Sequence, residues 1–258
     1  MSFDTAGFEG ERRRRGLTLG APLSWRDETV STNDDALAAA KSGAAHGALF
    51  GAETQTRGRG RRGSAWVSTP RAGLWFSLLL RPQLSPEIAP ALSLCAGLAV
   101  RDAVATRITV PAQVKWPNDV LADGRKLAGI LIESQLSGTT LSSVIVGVGI
   151  NIAQSEFPEP IAEIATSLAL LEAGEVSREA LLADVLHGLE QRLAELAQGG
   201  VAAISAALRP HDALRGKQLR VADVNGVGAG IDAAGQLLLQ SADGSITPVI
   251  SGHVELLR

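Results

Sequence analysis

The chain has one cysteine in 258 residues, Cys95, so an intramolecular disulfide is excluded. Cys95 lies in the apolar stretch Leu92 to Leu98 and reads as a small buried hydrophobe. No apolar run is long enough to span a bilayer, and none follows the four arginines Arg12 to Arg15. Neither a membrane span nor a secretory signal is expected, which leaves a cytoplasmic protein as the default. The four histidines, His46, His187, His211 and His253, share no metal-ligand spacing and read as structural or surface groups. There is no G-x-S-x-G nucleophile elbow and no internal repeat. A Walker A sequence is missing too, since Gly216-Lys217 runs into Gln218. Gly58, Gly60 and Gly63 do spell G-x-G-x-x-G. A dinucleotide fingerprint, however, opens a helix and has an acid about twenty residues on. Here a strand pattern follows and no acid lies between Glu53 and Glu87, so that reading is rejected. The net charge of −3 argues against a surface given over to nucleic acid or membrane.

What is present suits one large α/β unit and one small β unit. Residues 1–23 are polar, then Gly/Pro-containing, and are expected to be a poorly ordered lead-in with Arg12 to Arg15 as a solvated tail. Over 24–210 the pattern alternates. Ser31-Thr32-Asn33-Asp34 caps a helix that ends at Gly43. Ala48 to Ala52 is a short buried strand ending near Gln55, and Leu74 to Leu80 is another, stopped by Pro82. Pro86 to Thr106 has helical period. Val114 to Leu121, Leu127 to Ser134 and Leu141 to Ile152 read as three strands of a meander, with turns at Asp123-Gly124 and Ser137-Gly138. Ser177 to Ala197 and Val201 to Leu208 are helices, broken at Arg209-Pro210. Over 211–258 short apolar runs alternate with turn signals at Asn225-Gly226, Ala234-Gly235 and Asp243-Gly244, predicting a β module of four or five strands.

Two segments carry chemistry. In the loop from Arg57 to Gly63, four arginines alternate with three glycines. Such a loop can wrap an anion with guanidinium forks and backbone N–H groups, although a solvated surface loop has the same letters. Lys115-Trp116-Pro117-Asn118-Asp119 is followed by Arg125-Lys126 and the apolar run Leu127 to Ile132. Lys126 at the mouth of a buried strand can be held rigidly as an anion clamp. Asn118-Asp119 is either a turn or a phosphate and Mg²⁺ contact. Asn151 is a strand-end turn residue or an adenine reader, and Trp66 reads first as core. Together the groups suit a site that brings a carboxylate up to a polyphosphate, two anions that repel until cations intervene.

Ser31 to Asn33, Gln55 to Gly63, Trp66, Lys115 to Asp119, Arg125 to Ile130 and Gly147 to Asn151 occur in an order and spacing that resembles biotin protein ligases. The resemblance runs from about Thr29 to the C-terminus. It implies a class II synthetase-like catalytic domain over 24–210, a mixed β-sheet flanked by helices, followed by a small SH3-like β-barrel. It implies biotin contacts from Ser31, Thr32, Asn33, Gln55, Arg59, Gly60, Arg61, Lys126 and Gly129. The ATP or adenylate contacts implied are Arg59, Arg61, Trp66, Lys115, Asn118, Lys126 and Asn151. Catalytic roles fall to Arg59, Arg61, Lys126 and Asp119, with Asp119 also the Mg²⁺ contact. The implied activity is ATP-dependent formation of biotinyl-5′-AMP and transfer to a lysine of a biotin carboxyl carrier domain, with no tightly bound prosthetic group. The fewer than thirty-one residues before Ser31 are too few for the DNA-binding domain of some family members, so no sequence-specific DNA binding is expected. One departure is His253, where the resemblance expects an acid. A lipoate or octanoate ligase is the alternative enzyme; a ligand-responsive DNA-binding regulator and a non-catalytic binding module are the readings from other classes. A monomer and a ligand-dependent homodimer both remain open.

Overall fold

The computed structural model describes residues 2–82, 89–137 and 140–257. Its centre is the apolar run expected to be a strand: β3 (Gly73–Leu80), buried at every position. It pairs with β7 (Thr140–Asn151), and the two are the middle of a seven-stranded sheet. The other strands are β1 (Leu23–Thr29), β2 (Leu49–Gln55), β4 (Ala112–Lys115), β5 (Asp119–Ala122) and β6 (Arg125–Ser137). The order is β1-β2-β3-β7-β6-β5-β4. Only β1 and β2 run parallel, so the sheet is mixed, as expected.

Alternation decides which side chains meet which layer. Leu74, Phe76, Leu78 and Leu80 of β3 and Val144, Val146, Val148 and Ile150 of β7 enter the main core. There they meet α3 (Ala89–Ala105) and α4 (Arg178–Leu208), which pack on each other. Leu79 and Ile145 point the other way, into a small cluster with Ala36 and Ala40 of α2 (Thr32–Lys41). On that second face β7 carries Gly147, Gly149 and Asn151, and β6 carries Gly129, Leu131 and Glu133. The missing side chains leave the sheet bare just where the loops fold over it.

Several expectations need correction. The N-terminal segment is not a structureless lead-in. Asp4 accepts from the N–H groups of Ala6 and Gly7 and so caps α1 (Thr5–Arg14), whose Phe8 is fully buried. Phe3 stacks on Trp25 with ring centroids 3.7 Å apart. Arg12 to Arg15 are not a solvated tail: they pair with Glu9 and Glu11 one turn back, and Arg15 reaches Asp184 of α4 at 2.7 Å. These apolar anchors are too few and too irregularly spaced for a periodicity to reveal them. The expected strand Val114 to Leu121 is two strands, because Trp116 to Asn118 turn the chain back from β4 into β5. The two helices expected after Ser177 are present: α4 (Arg178–Leu208) is broken into two helical stretches at Gly200, with φ 63° and ψ −162°. Pro86, where α3 was expected to begin, and Gly138 of the following turn lie outside the described residues.

The C-terminal module has five strands: β8 (Gln218–Val221), β9 (Val224–Ile231), β10 (Leu237–Gln240), β11 (Ile246–Val249) and β12 (Val254–Leu256). It is an antiparallel sheet of order β11-β10-β9-β8-β12, whose two edge strands do not pair to close a ring. Asn225-Gly226 lies within β9, and the turn sits at Ala222-Asp223, with Ala222 at φ 52°. The module touches the larger unit through Trp116, whose Nε1 donates to the Gly235 carbonyl at 3.0 Å, and through the Ala213 N–H on the Val114 carbonyl.

Candidate active site

The second face of the sheet gathers most of the residues singled out by sequence. At one end Thr32 and Asn33 open α2, close to the end of β2 at Gln55. The Thr32 N–H and Oγ1 both donate to Gln55 Oε1, at 2.9 and 3.1 Å. Ser77, fully buried on β3, places its Oγ 2.8 Å from Thr32 Oγ1 and 2.5 Å from Asn33 Oδ1. Gln55 is fixed in turn by Ser68, which accepts from its N–H and donates to its carbonyl. Ser31, the N-cap residue of α2, is 2% exposed and makes no side-chain cap bond. Gly147 is needed here: a Cβ on it would lie 2.2 Å from Asn33 Oδ1.

The opposite end is cationic. Lys126 is the second residue of β6. Its backbone is pinned on both sides, since its N–H donates to Ile164 and its carbonyl accepts from Thr166. The side chain curls over Gly129 and sets Nζ 2.7 Å from Asp119 Oδ1, and 5.3 Å from the centroid of the Trp66 ring. Asp119 and Lys115 are cross-strand partners in the β4–β5 hairpin, so both point to one face. Asn118 is locked by its own bonds: Nδ2 donates to the Ile130 carbonyl, and its carbonyl accepts from Ile130 N–H.

Trp66 lies across the middle. Gly129 and Gly149 are directly paired on β6 and β7, and a Cβ on either would come within 2.8 or 2.5 Å of its indole. Trp66 is therefore a half-exposed plate on a glycine shelf and not a core residue. Its Nε1 is buried without a hydrogen-bond partner among the described residues.

The Gly/Arg loop arches over this plate. Trp66 N–H donates to the Gly58 carbonyl and Gly60 N–H to the Ser64 carbonyl, folding Arg59 and Arg61 inward. Arg61 is half-buried, with Nη1 3.5 Å from Asn118 Oδ1; burial, then the neighbouring Arg62, lower its pKa. Arg59 is not free. It grips Asp34 through both guanidinium nitrogens at 2.8 and 2.7 Å and touches Glu133 at 3.2 Å. Those contacts, Asp34 first, raise its pKa.

Residues 29–151 match the Biotin/lipoate A/B protein ligase family. The chain is 39% identical over 263 residues to the biotin–[acetyl-CoA-carboxylase] ligase of Mycobacterium tuberculosis, covering 96% of each chain. It belongs to the biotin protein ligase family. The bifunctional ligase/repressor BirA of Bacillus subtilis is 34% identical over 244 residues, covering 92% of this chain and 75% of that one. The biotin protein ligase from Aquifex aeolicus, solved in complex with biotin and ATP, superposes with a TM-score of 0.79 at 30% identity, covering 92% of this chain and 99% of that one. The Mycobacterium tuberculosis and Aquifex aeolicus relatives are named as biotin ligases, which disfavours the lipoate alternative.

The resemblance implied an adenylate contact for Asn151 on β7. Asn151 is buried, its Nδ2 donates to the Thr166 carbonyl, and its Oδ1 accepts from Gln154. Both ends of this amide are engaged inside the protein. Ser77, Ser68, Asp34 and Glu133 were missed by sequence reasoning, because nothing local marks a lone serine or acid as part of a site. For Mg²⁺ the donor set is sparse: Asp119 is the carboxylate beside Lys126, and no cluster of three or more His, Cys, Asp or Glu side chains is placed to hold a metal among the described residues. That fits an ion that arrives on nucleotide phosphates and keeps most of its waters, for which one protein carboxylate suffices. No helix among the described residues is long and apolar enough to cross a membrane.

Proposed function

We propose that this face of the sheet activates biotin with ATP as biotinyl-5′-AMP, and then passes biotin to a lysine of a carboxyl carrier domain. The observation that carries the assignment is the polarity of the site. A neutral hydrogen-bonding pocket (Ser31, Thr32, Asn33, Gln55) lies at one end, with the loop's Arg59 held beside it by Asp34 and Glu133; a cationic end (Arg61, Lys126) lies at the other, and the Trp66 plate between them. The ureido ring of biotin is neutral with donors and an acceptor, and its carboxylate is the anion. A molecule of that polarity lies with its ring in the first end and its carboxylate towards Lys126 and Gly129.

In the first step a biotin carboxylate oxygen attacks the α-phosphorus of ATP. A carboxyl–phosphoryl anhydride forms, and the bond to pyrophosphate breaks. Lys126, Arg59 and Arg61 offset the repulsion between the anions and the charge that builds on the leaving group. Asp119 would hold a Mg²⁺ ion that comes with ATP, and the ion would supply further neutralisation of the phosphates. Lys115 and Asn118 lie along the phosphate path, Trp66 offers a face to the adenine and Gly60 lets the loop close, which shields the anhydride from water. In the second step a lysine amine attacks the anhydride carbonyl and AMP leaves. An unperturbed lysine has a pKa of about 10.4 and is almost wholly protonated at neutral pH. In this reading Asp119, beside Lys126, orients that amine and accepts its proton.

Pyrophosphate–ATP exchange with biotin, lipoate and octanoate tests this reading. Exchange with biotin alone is expected. Exchange with lipoate or octanoate instead reassigns the substrate, and no exchange from folded protein removes the activity.

A further inference from the structure

Trp116 stands in the middle of Lys115-Trp116-Pro117-Asn118-Asp119, yet the chemistry proposed above gives it nothing to do. Its indole is 2% exposed and belongs to the main core. The turn that carries it, between β4 and β5, is tied to its surroundings. Asn118 is bonded to Ile130 through side chain and backbone. The Pro117 carbonyl accepts from Ser93 Oγ of α3 at 2.8 Å. A further tie leaves the larger unit: Trp116 Nε1 donates at 3.0 Å to the carbonyl of Gly235, between β9 and β10 of the C-terminal module. The turn offering that carbonyl is itself fixed. Asp232 Oδ1 accepts from the N–H groups of Ala234 and Gln236, both at 2.8 Å, and the Gly235 N–H donates to the Asp232 carbonyl at 3.1 Å. Gly235 has φ 78° and lies against Pro90 of α3, where an added Cβ would come within 3.3 Å of the proline ring. The place of the acceptor is thus set by the module, and not by β4 or β5.

We infer that Trp116 is a positioning residue, through which the Asp232–Gly235 turn of the C-terminal module holds Lys115, Asn118 and Asp119 in place at the phosphate end of the site. The inference rests on the functional reading above for its kinetic readout and not for its structural one. Lys115 and Asp119 flank the turn as cross-strand partners, so a turn that shifts carries both groups with it, away from their setting beside Lys126. A buried indole N–H deprived of its acceptor is costly, so the indole and the carbonyl keep one spacing. The neutral pocket is built on other elements, α2, β2 and β3, and its grip on the biotin ring does not depend on this tie.

The test uses Trp116→Phe, which removes the donor and keeps an aromatic ring, and Asp232→Ala, which loosens the turn from a half-buried position on the module. Pyrophosphate–ATP exchange needs no acceptor protein, so a change in it cannot come from lost docking of one. Each variant is expected to raise KM for ATP about two- to tenfold, the size of one neutral hydrogen bond, with KM for biotin within about twofold of wild type. Combined in one chain, the substitutions should do no more than the larger of them alone, because both cut the same tie. Amide hydrogen exchange at Ile130, whose N–H bonds to the Asn118 carbonyl, should quicken by a similar factor in each. An unchanged KM for ATP overturns the inference. Equal rises in both KM values, or effects that multiply in the combined variant, overturn it too, since the substitutions would then only loosen the fold. If melting curves show Trp116→Phe to be misfolded, Asp232→Ala decides alone. Wild-type protein without biotin-dependent exchange refutes the functional reading, while the Ile130 amide still decides whether the module holds the turn.

Discussion

Replacing Gly149 by alanine adds a single methyl group, and its consequences can be worked through. The backbone there is ordinary extended strand, so alanine itself is not strained. Its Cβ, however, would sit 2.5, 2.6 and 2.8 Å from Cε2, Cζ2 and Nε1 of Trp66, its three nearest neighbours. Carbon atoms in contact prefer about 3.5–4.0 Å, so the indole must withdraw by roughly 1 Å. It cannot withdraw alone, because the Trp66 N–H is bonded to Gly58 at the root of the arginine loop. Overpacking of this kind costs about 1–3 kcal/mol of stability. If the same strain falls on the transition state, kcat/KM for adenylate formation drops about 5- to 150-fold. Denaturant unfolding and pyrophosphate exchange measure the two effects. The deciding comparison is Gly149→Ala in a Trp66→Ala background. With the indole gone the methyl group has nothing to strike, and its stability cost should fall below about 0.5 kcal/mol. An equal cost in both backgrounds would refute the glycine-shelf account.

Three other perturbations have definite outcomes. Lys126→Gln should cut biotin-dependent exchange by about 10²–10³, since it removes a fixed cation aimed at developing charge; exchange within threefold of wild type would move that role elsewhere. Asp119→Asn should slow transfer from preformed biotinyl-5′-AMP to an acceptor lysine by about 10²–10⁴, and intact transfer would end its assignment to the amine. The third concerns the buried pair of Glu53 and Arg178, 2.6 Å apart, where Glu53 also accepts from the Phe3 N–H and Trp25 Nε1. Burial pushes the Glu53 carboxyl up, but Arg178 and these donors outweigh it and hold its pKa below the ordinary value. A depressed carboxyl contributes stability above its unfolded pKa, and loses it as pH falls through the lower folded value. Arg178→Met should cost about 3–5 kcal/mol at neutral pH. Glu53 would then be buried without its partner and raised, so its contribution should improve as pH drops. Unfolding midpoints between pH 4 and 7 will show whether the slope changes sign.

How much of this was legible in the sequence depended on whether the information was local. The helix start after Ser31, the central strand β3 and the break between two helical stretches at Gly200 all rest on neighbouring residues, and the structure has them, although Ser31 makes no side-chain cap bond. So do the loop glycines and the rigid seat of Lys126. The N-terminal anchor was hidden, because Phe3 and Phe8 find their partners in Trp25, far along the chain, and in the core formed with α4. Glu133 was hidden for a more specific reason. Near the turn β6 and β7 pair Ser137 with Thr140 and Leu136 with Leu141, a register that would carry Gly129 opposite Val148. The ladder shifts by one residue between Gln135 and Leu136, and from there Gly129 faces Gly149 and Glu133 faces Ile145. A one-residue slip exchanges the two faces of a strand. Without the bulge, the faces of β6 that hold Ala128, Ile130 and Ile132 would oppose the glycines of β7, burying apolar groups against the site and emptying the core. The bulge is therefore the feature that reconciles two hydrophobic alternations. By reconciling them it sets Gly129, Gly147 and Gly149 on one face as a floor for Trp66 and Asn33, with Glu133 at its end beneath Arg59.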